Sequence, residues 1–157
     1  MIVNELKNKP NLGLYLKLWL IYRKYLKMKR EKVHSVDVFW DGPMAGVADF
    51  DEKIHYFDVV EDDAELADGS LNFTLIALGD EIYQSISENI EIRESWQKAY
   101  DSGTTEIETE PALPEDRDRF DVNRNKIHNY LLQNQSKAIL KKGIFYQNES
   151  GYEVEWS

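Results

Sequence analysis

Residues 35–60 read SVDVFWDGPMAGVADFDEKIHYFDVV, and the fold turns on this stretch. Val36, Val38 and Trp40 alternate with Ser35, Asp37 and Phe39, the period of two that sends successive side chains to opposite faces of a strand. Asp41-Gly42-Pro43 interrupts the alternation, because Gly frees the backbone and Pro has no amide to donate. Two more short strands, Val47 to Phe50 and Ile54 to Val60, flank Asp51-Glu52-Lys53. Strands joined by connections this short pair with their neighbours, so the stretch predicts an antiparallel meander.

C-terminal to it, an acidic connector from Glu61 to Ser70 leads into Leu71-Asn72-Phe73-Thr74-Leu75-Ile76-Ala77-Leu78, whose apolar run reads as a central strand. Asp80 is placed to cap a helix that Gly103 stops. Ile82, Ile86, Ile90, Trp96 and Tyr100 share its inner face, joined by Tyr83 and Ile92. Ile82, Ile86, Trp96, Phe73 and Leu75 are therefore the expected core. Thr104 to Pro114 is acidic and broken by proline, a loop with one edge strand around Ile107. A second helix runs from about Glu115 to Gln133 with Phe120, Ile127 and Leu131 on one face. Ile144 to Tyr146 and Tyr152 to Trp156 flank Asn148-Glu149-Ser150-Gly151 as a hairpin.

N-terminal to the meander, Leu12 to Arg30 reads as a helix when advanced by about 100° per residue. Leu14, Leu18, Ile21, Tyr25 and Met28 fall on one side, extended by Tyr15, Trp19, Tyr22 and Leu26, with Lys17, Arg23, Lys24, Lys27 and Arg30 opposite. So wide an apolar face requires a cover. Three are open: docking on the rest of the chain, a homodimer through Leu14, Leu18, Ile21 and Tyr25, and peripheral membrane contact, in that order of preference. The order of elements gives an α+β fold, an antiparallel β-meander sheet packed by two or three helices. It divides into a basic amphipathic N-terminal helix, residues 1–32, and an acidic α+β domain, residues 33–157.

Charge separates the same two segments. Residues 1–32 hold nine Lys/Arg against two Glu, a net of +7, and residues 33–157 hold ten against 27 Asp/Glu, a net of −17. Such a body repels nucleic acid and anionic membrane and attracts basic partners. With no cysteine, disulfides, thiolate nucleophiles and Cys-based metal sites are excluded, and a reducing cytoplasm is the expected setting. The apolar run Leu12 to Tyr22 is shorter than the roughly 20 residues a membrane span needs, and it leads into basic residues rather than a cleavage site. At 157 residues and 42% hydrophobic content the chain can build a sizeable core.

Chemistry is sparse. There is no phosphate-binding glycine loop, dinucleotide fingerprint or nucleophile elbow. His34, His55 and His128 come from three elements without metal-ligand spacing, so no metal and no cofactor is expected. His55 beside Tyr56 could serve as an acid or base, although a lone strand histidine is usually structural. Glu106, Glu108 and Glu110 alternate with Ile107 and Thr109, and in an extended backbone their carboxylates share one face, most often a solvated edge, otherwise a contact for Ca²⁺ or for a basic partner. Trp40-Asp41-Gly42-Pro43 reads as a tight turn, or as an exposed aromatic on a rigid one, a good recognition element. Trp40, Asp41, His55, Glu106, Glu108 and Glu110 are the candidate binding residues.

The expected function is an acidic protein-interaction module that binds a basic protein surface, in the manner of immunity proteins, antitoxins and nucleic-acid mimics, without catalysis. The competing class is a small enzyme or ligand-binding domain with a pocket between sheet and helices. His55 clustered with two buried carboxylates would favour the second; a flat acidic surface would favour the first.

Overall fold

In the computed structural model, residues 29–60 and 69–157 are described. The expected N-terminal helix and its face Leu14, Leu18, Ile21 and Tyr25 lie outside them, except that Arg30 opens the first strand. Residues 61–68 of the acidic connector also lie outside.

Six strands, β1 (Arg30–Trp40), β2 (Gly42–Phe50), β3 (Lys53–Val59), β4 (Leu71–Ala77), β5 (Ile139–Asn148) and β6 (Gly151–Trp156), pair in chain order. Helices α1 (Asp80–Asp101) and α2 (Arg117–Asn134) are inserted between β4 and β5. The predicted meander is present in its order of strands, but the predicted open sheet packed by helices is not: β1 also pairs with β6, and the sheet closes into an antiparallel barrel.

Closure follows from β1. Its first residues, Arg30 to Lys32, pair with Glu153 to Glu155 of β6, while Val33 to Trp40 pair with β2. Three register shifts interrupt the β1–β2 ladder, at Val33/Ser35, Val36/Val38 and Val38/Phe39. Each bulge bends the strand and increases its twist, which curls a sheet toward closure and removes its edges. Gly46 of β2 allows the crossing, since a Cβ there would collide with the Ser35 carbonyl oxygen of β1. The β2–β3 turn, Asp51-Glu52, takes positive φ at both residues (52° and 64°), the backbone of a two-residue hairpin turn.

Aromatic side chains fill the lumen. Phe57 and Phe73 are fully buried, and Phe145 and Trp156 join them with ring centroids 5.2–6.0 Å apart. Gly143 leaves the room, for a Cβ there would lie 2.6 Å from Trp156 and 3.1 Å from Phe73. Trp156 donates its indole N–H to the Asp49 carbonyl at 2.9 Å, so its one polar atom is satisfied.

A second core lies outside the barrel, where Val47 of β2 meets Ile82 and Ile86 of α1, with Ile54, Tyr56, Tyr83, Ile90 and Ile127 around them. β2 is therefore apolar on both faces, whereas β4 turns Leu71, Phe73 and Leu75 inward and Asn72, Thr74 and Ile76 outward. All five expected core residues, Ile82, Ile86, Trp96, Phe73 and Leu75, are buried. Gly103 ends the α1 segment at φ +69°. The expected edge strand around Ile107 is instead a single 3-10 turn, Ile107–Thr109. Side-chain bonds enforce it: Trp96 donates to Thr109 Oγ1 at 2.9 Å, and Arg117 donates to the carbonyls of Thr109, Glu110 and Ala112. Among the described residues no helix is long and apolar enough to cross a membrane.

Candidate functional site

The two ends of the barrel differ. At the end where β3 begins, Phe50 packs edge-on against His55 at 5.5 Å and Lys141 lies 5.2 Å from the Phe50 ring, which stoppers the lumen. At the other end β1 and β2 meet in a one-residue tip, Asp41, with Trp40 paired to Gly42 and Phe39 to Pro43. Pro43 lies beyond the last β2–β3 pair, Ala45–Asp58, so its missing N–H removes nothing from that ladder.

This end opens into a cavity of about 560 Å³, floored by Leu71, Gly143 and Phe145 and rimmed by Phe39, Trp40 and Tyr152. Val38, Phe39 and Trp40 expose 46%, 57% and 73% of their surface. Three consecutive uncovered apolar residues beside a carboxylate are a recognition surface in the making. Trp40 and Asp41 thus lie at an exposed tight turn.

A second concavity runs between the outer wall of the barrel and the helices. One part of it, about 230 Å³, is lined by Asp37 of β1, Tyr56 of β3, Asn89 and Arg93 of α1, and Arg124 and His128 of α2, among apolar residues. A larger groove of about 550 Å³ continues from Tyr56 and His128 past Asp58 and Thr74. Asp37 is an exposed residue, yet the protein crowded around its carboxyl raises it above the usual carboxylate range; the Arg93 guanidinium and the nearby Ser35 hydroxyl pull it back. Ser35 is close without hydrogen-bond geometry, and its own Oγ is buried without a partner. Burial also raises the Tyr56 phenol, reinforced by the Asp37 and Asp58 carboxylates, so it stays a protonated donor at neutral pH. Asn89 donates Nδ2 to the Phe120 carbonyl at 3.2 Å, while its Oδ1 is buried with no partner.

The other sequence candidates are dispersed. His55 is 7% exposed, faces the barrel interior and donates Nδ1–H to the Lys53 carbonyl at 2.9 Å, which makes it a satisfied core histidine. Glu106, Glu108 and Glu110 are exposed, but the 3-10 turn replaces the extended backbone on which they would have shared a face. His34, weighed in the sequence only as a metal ligand, donates Nε2–H to Asp49 at 2.8 Å and faces the Tyr83 hydroxyl through Nδ1 at 3.4 Å, linking β1, β2 and α1. Among the described residues no group of His, Asp and Glu is arranged to hold a metal.

Sequence reasoning missed Asn89 and Arg93, yet a signal existed. Both lie at helical spacing from Ile86, three and seven residues on, so they are polar residues on the apolar face of α1. No protein-family model, curated protein or solved structure matches the chain.

Proposed function

We propose that this protein is an acidic, non-enzymatic recognition module of the cytoplasm that grips a basic protein surface with the open barrel mouth, as an inhibitor of the immunity, antitoxin or nucleic-acid-mimic kind. The observation that carries it is Trp40, 73% exposed beside Asp41 on the rim of the cavity. An arginine or lysine laid over the indole gains a cation–π contact and meets the Asp41 carboxylate at the same time. Exposed aromatics at a pocket rim have the character of binding hot spots. The net −17 of residues 33–157, to which Glu106, Glu108 and Glu110 contribute, steers such a partner from a distance.

Affinity capture from the native host, followed by association kinetics with the captured partner, tests the reading. Trp40→Ala should weaken binding by about 2 kcal/mol or more. Neutralising Glu106, Glu108 and Glu110 together should slow association and leave dissociation nearly unchanged. Association should fall steeply as the Debye length shrinks from about 30 Å to about 3 Å between roughly 0.01 and 1 M salt. A salt-insensitive association, or a partner indifferent to Trp40→Ala, overturns it.

A further inference from the structure

The cleft between barrel wall and helices is separate from the mouth and does not depend on it. Its unusual feature is a buried, unpartnered amide oxygen at an apolar wall, with Asp37 and Arg93 at its exposed rim. Asn89 is 7% exposed, and its Oδ1 is shut off from water with nothing to accept from. A buried acceptor in that state is satisfied by a donor brought from outside. The Tyr56 hydroxyl forms no hydrogen bond among the described residues and is held in its donor form. Arg93 and Asp37 influence each other electrostatically, yet neither belongs to an ion pair among the described residues. Arg124, by contrast, is paired with Asp121 at 3.0 Å.

The cleft therefore offers a cation, Arg93, that lies 6.0 Å over the Phe120 ring, an anion, Asp37, that shares no ion pair with it, a buried acceptor and a phenolic donor, walled by Ile86, Ile90, Ile127 and Leu131. A purely anionic ligand would match Arg93 but face Asp37 and the chain's net −10 charge, and a purely cationic one would leave Arg93 unmatched. A zwitterion matches both and pays no long-range penalty. About 230 Å³ lies below the roughly 300–1,000 Å³ of pockets for drug-sized molecules, so the occupant is small.

We propose that this cleft binds a free α-amino acid with an apolar side chain. Its carboxylate is held by Arg93 and the Tyr56 hydroxyl, its ammonium by Asp37 and, once a small shift of the wall uncovers it, by Asn89 Oδ1, and its side chain by the isoleucine and leucine wall.

Titration calorimetry and thermal melting of the full chain with L-leucine, N-acetyl-L-leucine and L-leucinamide test the proposal, with isoleucine, methionine and phenylalanine as further apolar probes. At least one of the free amino acids should bind and raise the melting temperature by mass action, as any ligand of the folded state does. Capping either of its charged groups should weaken binding about tenfold or more, roughly the loss of one charge-assisted contact. Arg93→Gln, at an exposed position, should keep the far-UV circular dichroism and abolish the shift, while Trp40→Ala should leave it unchanged. Absence of a shift with all four amino acids, equal binding of the capped forms, or undiminished binding by Arg93→Gln would each overturn the assignment.

Discussion

Inside the barrel, Phe57 and Phe73 are fully buried, and the polar groups that enter with the core are matched: His55 donates to the Lys53 carbonyl and Trp156 to the Asp49 carbonyl. Outside, where the helices meet the same strands, Ser35 Oγ on β1, Asn89 Oδ1 on α1 and Asp121 Oδ1 on α2 are buried without hydrogen bonds. Asp121 does sit 3.0 Å from Arg124, an ion pair without hydrogen-bond geometry. One layer has been optimised for burial, while the other retains buried polar atoms without hydrogen bonds, of which Asn89 Oδ1 has no partner of any kind among the described residues. An unpaired buried polar group costs about 1–3 kcal/mol, and proteins keep few of them without a use. The lumen is thus where stability resides, and the helix–barrel layer is where specificity has been left open.

The largest expected effect is in the lumen. Phe73→Ala removes a ring packed against Phe57, Phe145 and Trp156 and should cost about 3–5 kcal/mol in urea unfolding. A loss below about 1 kcal/mol would break the comparison at its first term, since a lumen that collapses around the gap is not close-packed. Gly143→Ala probes the same packing from the other side. Its methyl would meet Trp156 at 2.6 Å and Phe73 at 3.1 Å, and overpacking of this kind costs about 1–3 kcal/mol.

For the helix–barrel layer the sign reverses. Ser35→Ala deletes a buried hydroxyl that lacks a hydrogen bond by geometry and acts only weakly on the nearby Asp37 carboxylate, so the variant should match the parent or exceed it by up to about 1 kcal/mol. A destabilised Ser35→Ala would show the hydroxyl to be satisfied and would erase much of the contrast.

The same contrast marks what the sequence disclosed. Strand and helix positions were legible because Ile82 and Ile86, or Val36 and Val38, repeat with the period of their element, and periodicity is a local property. The tip at Trp40 and Asp41 was legible because Gly42 and Pro43 constrain the chain on the spot. Barrel closure was not, since the bulges of β1 and the pairing of Arg30 with Glu155 join residues at opposite ends of the domain. The cleft was hidden for a related reason: Asp37, Tyr56, Arg93 and His128 belong to four elements, and only closure of the sheet gives the helices one curved wall to pack on. The row Glu106, Glu108 and Glu110 misled because alternation implies a shared face only in extended backbone, and bonds from Trp96 and Arg117 wind that segment into a 3-10 turn.

The smallest effect separates the two layers by its pH dependence. Asp37 has its carboxyl raised above the ordinary range, chiefly by burial, with Arg93 and Ser35 opposing. A raised folded-state value means that, between the unfolded and folded pKa, the folded chain binds more protons than the unfolded one. Stability then falls as pH rises through that window and stays reduced above it. Asp37→Asn carries no such deficit, so at neutral pH it should equal or slightly exceed the parent in stability. The difference should close as pH falls below the ordinary carboxylate value of about 4. Denaturant unfolding of both proteins at pH 7 and at about pH 3 measures it. If Asp37→Asn is instead less stable at both pH values, the side chain supports the fold through contacts a neutral amide cannot replace. The outer wall would then be built for stability like the lumen, and an uncommitted carboxylate could no longer be counted among the groups that face the cleft.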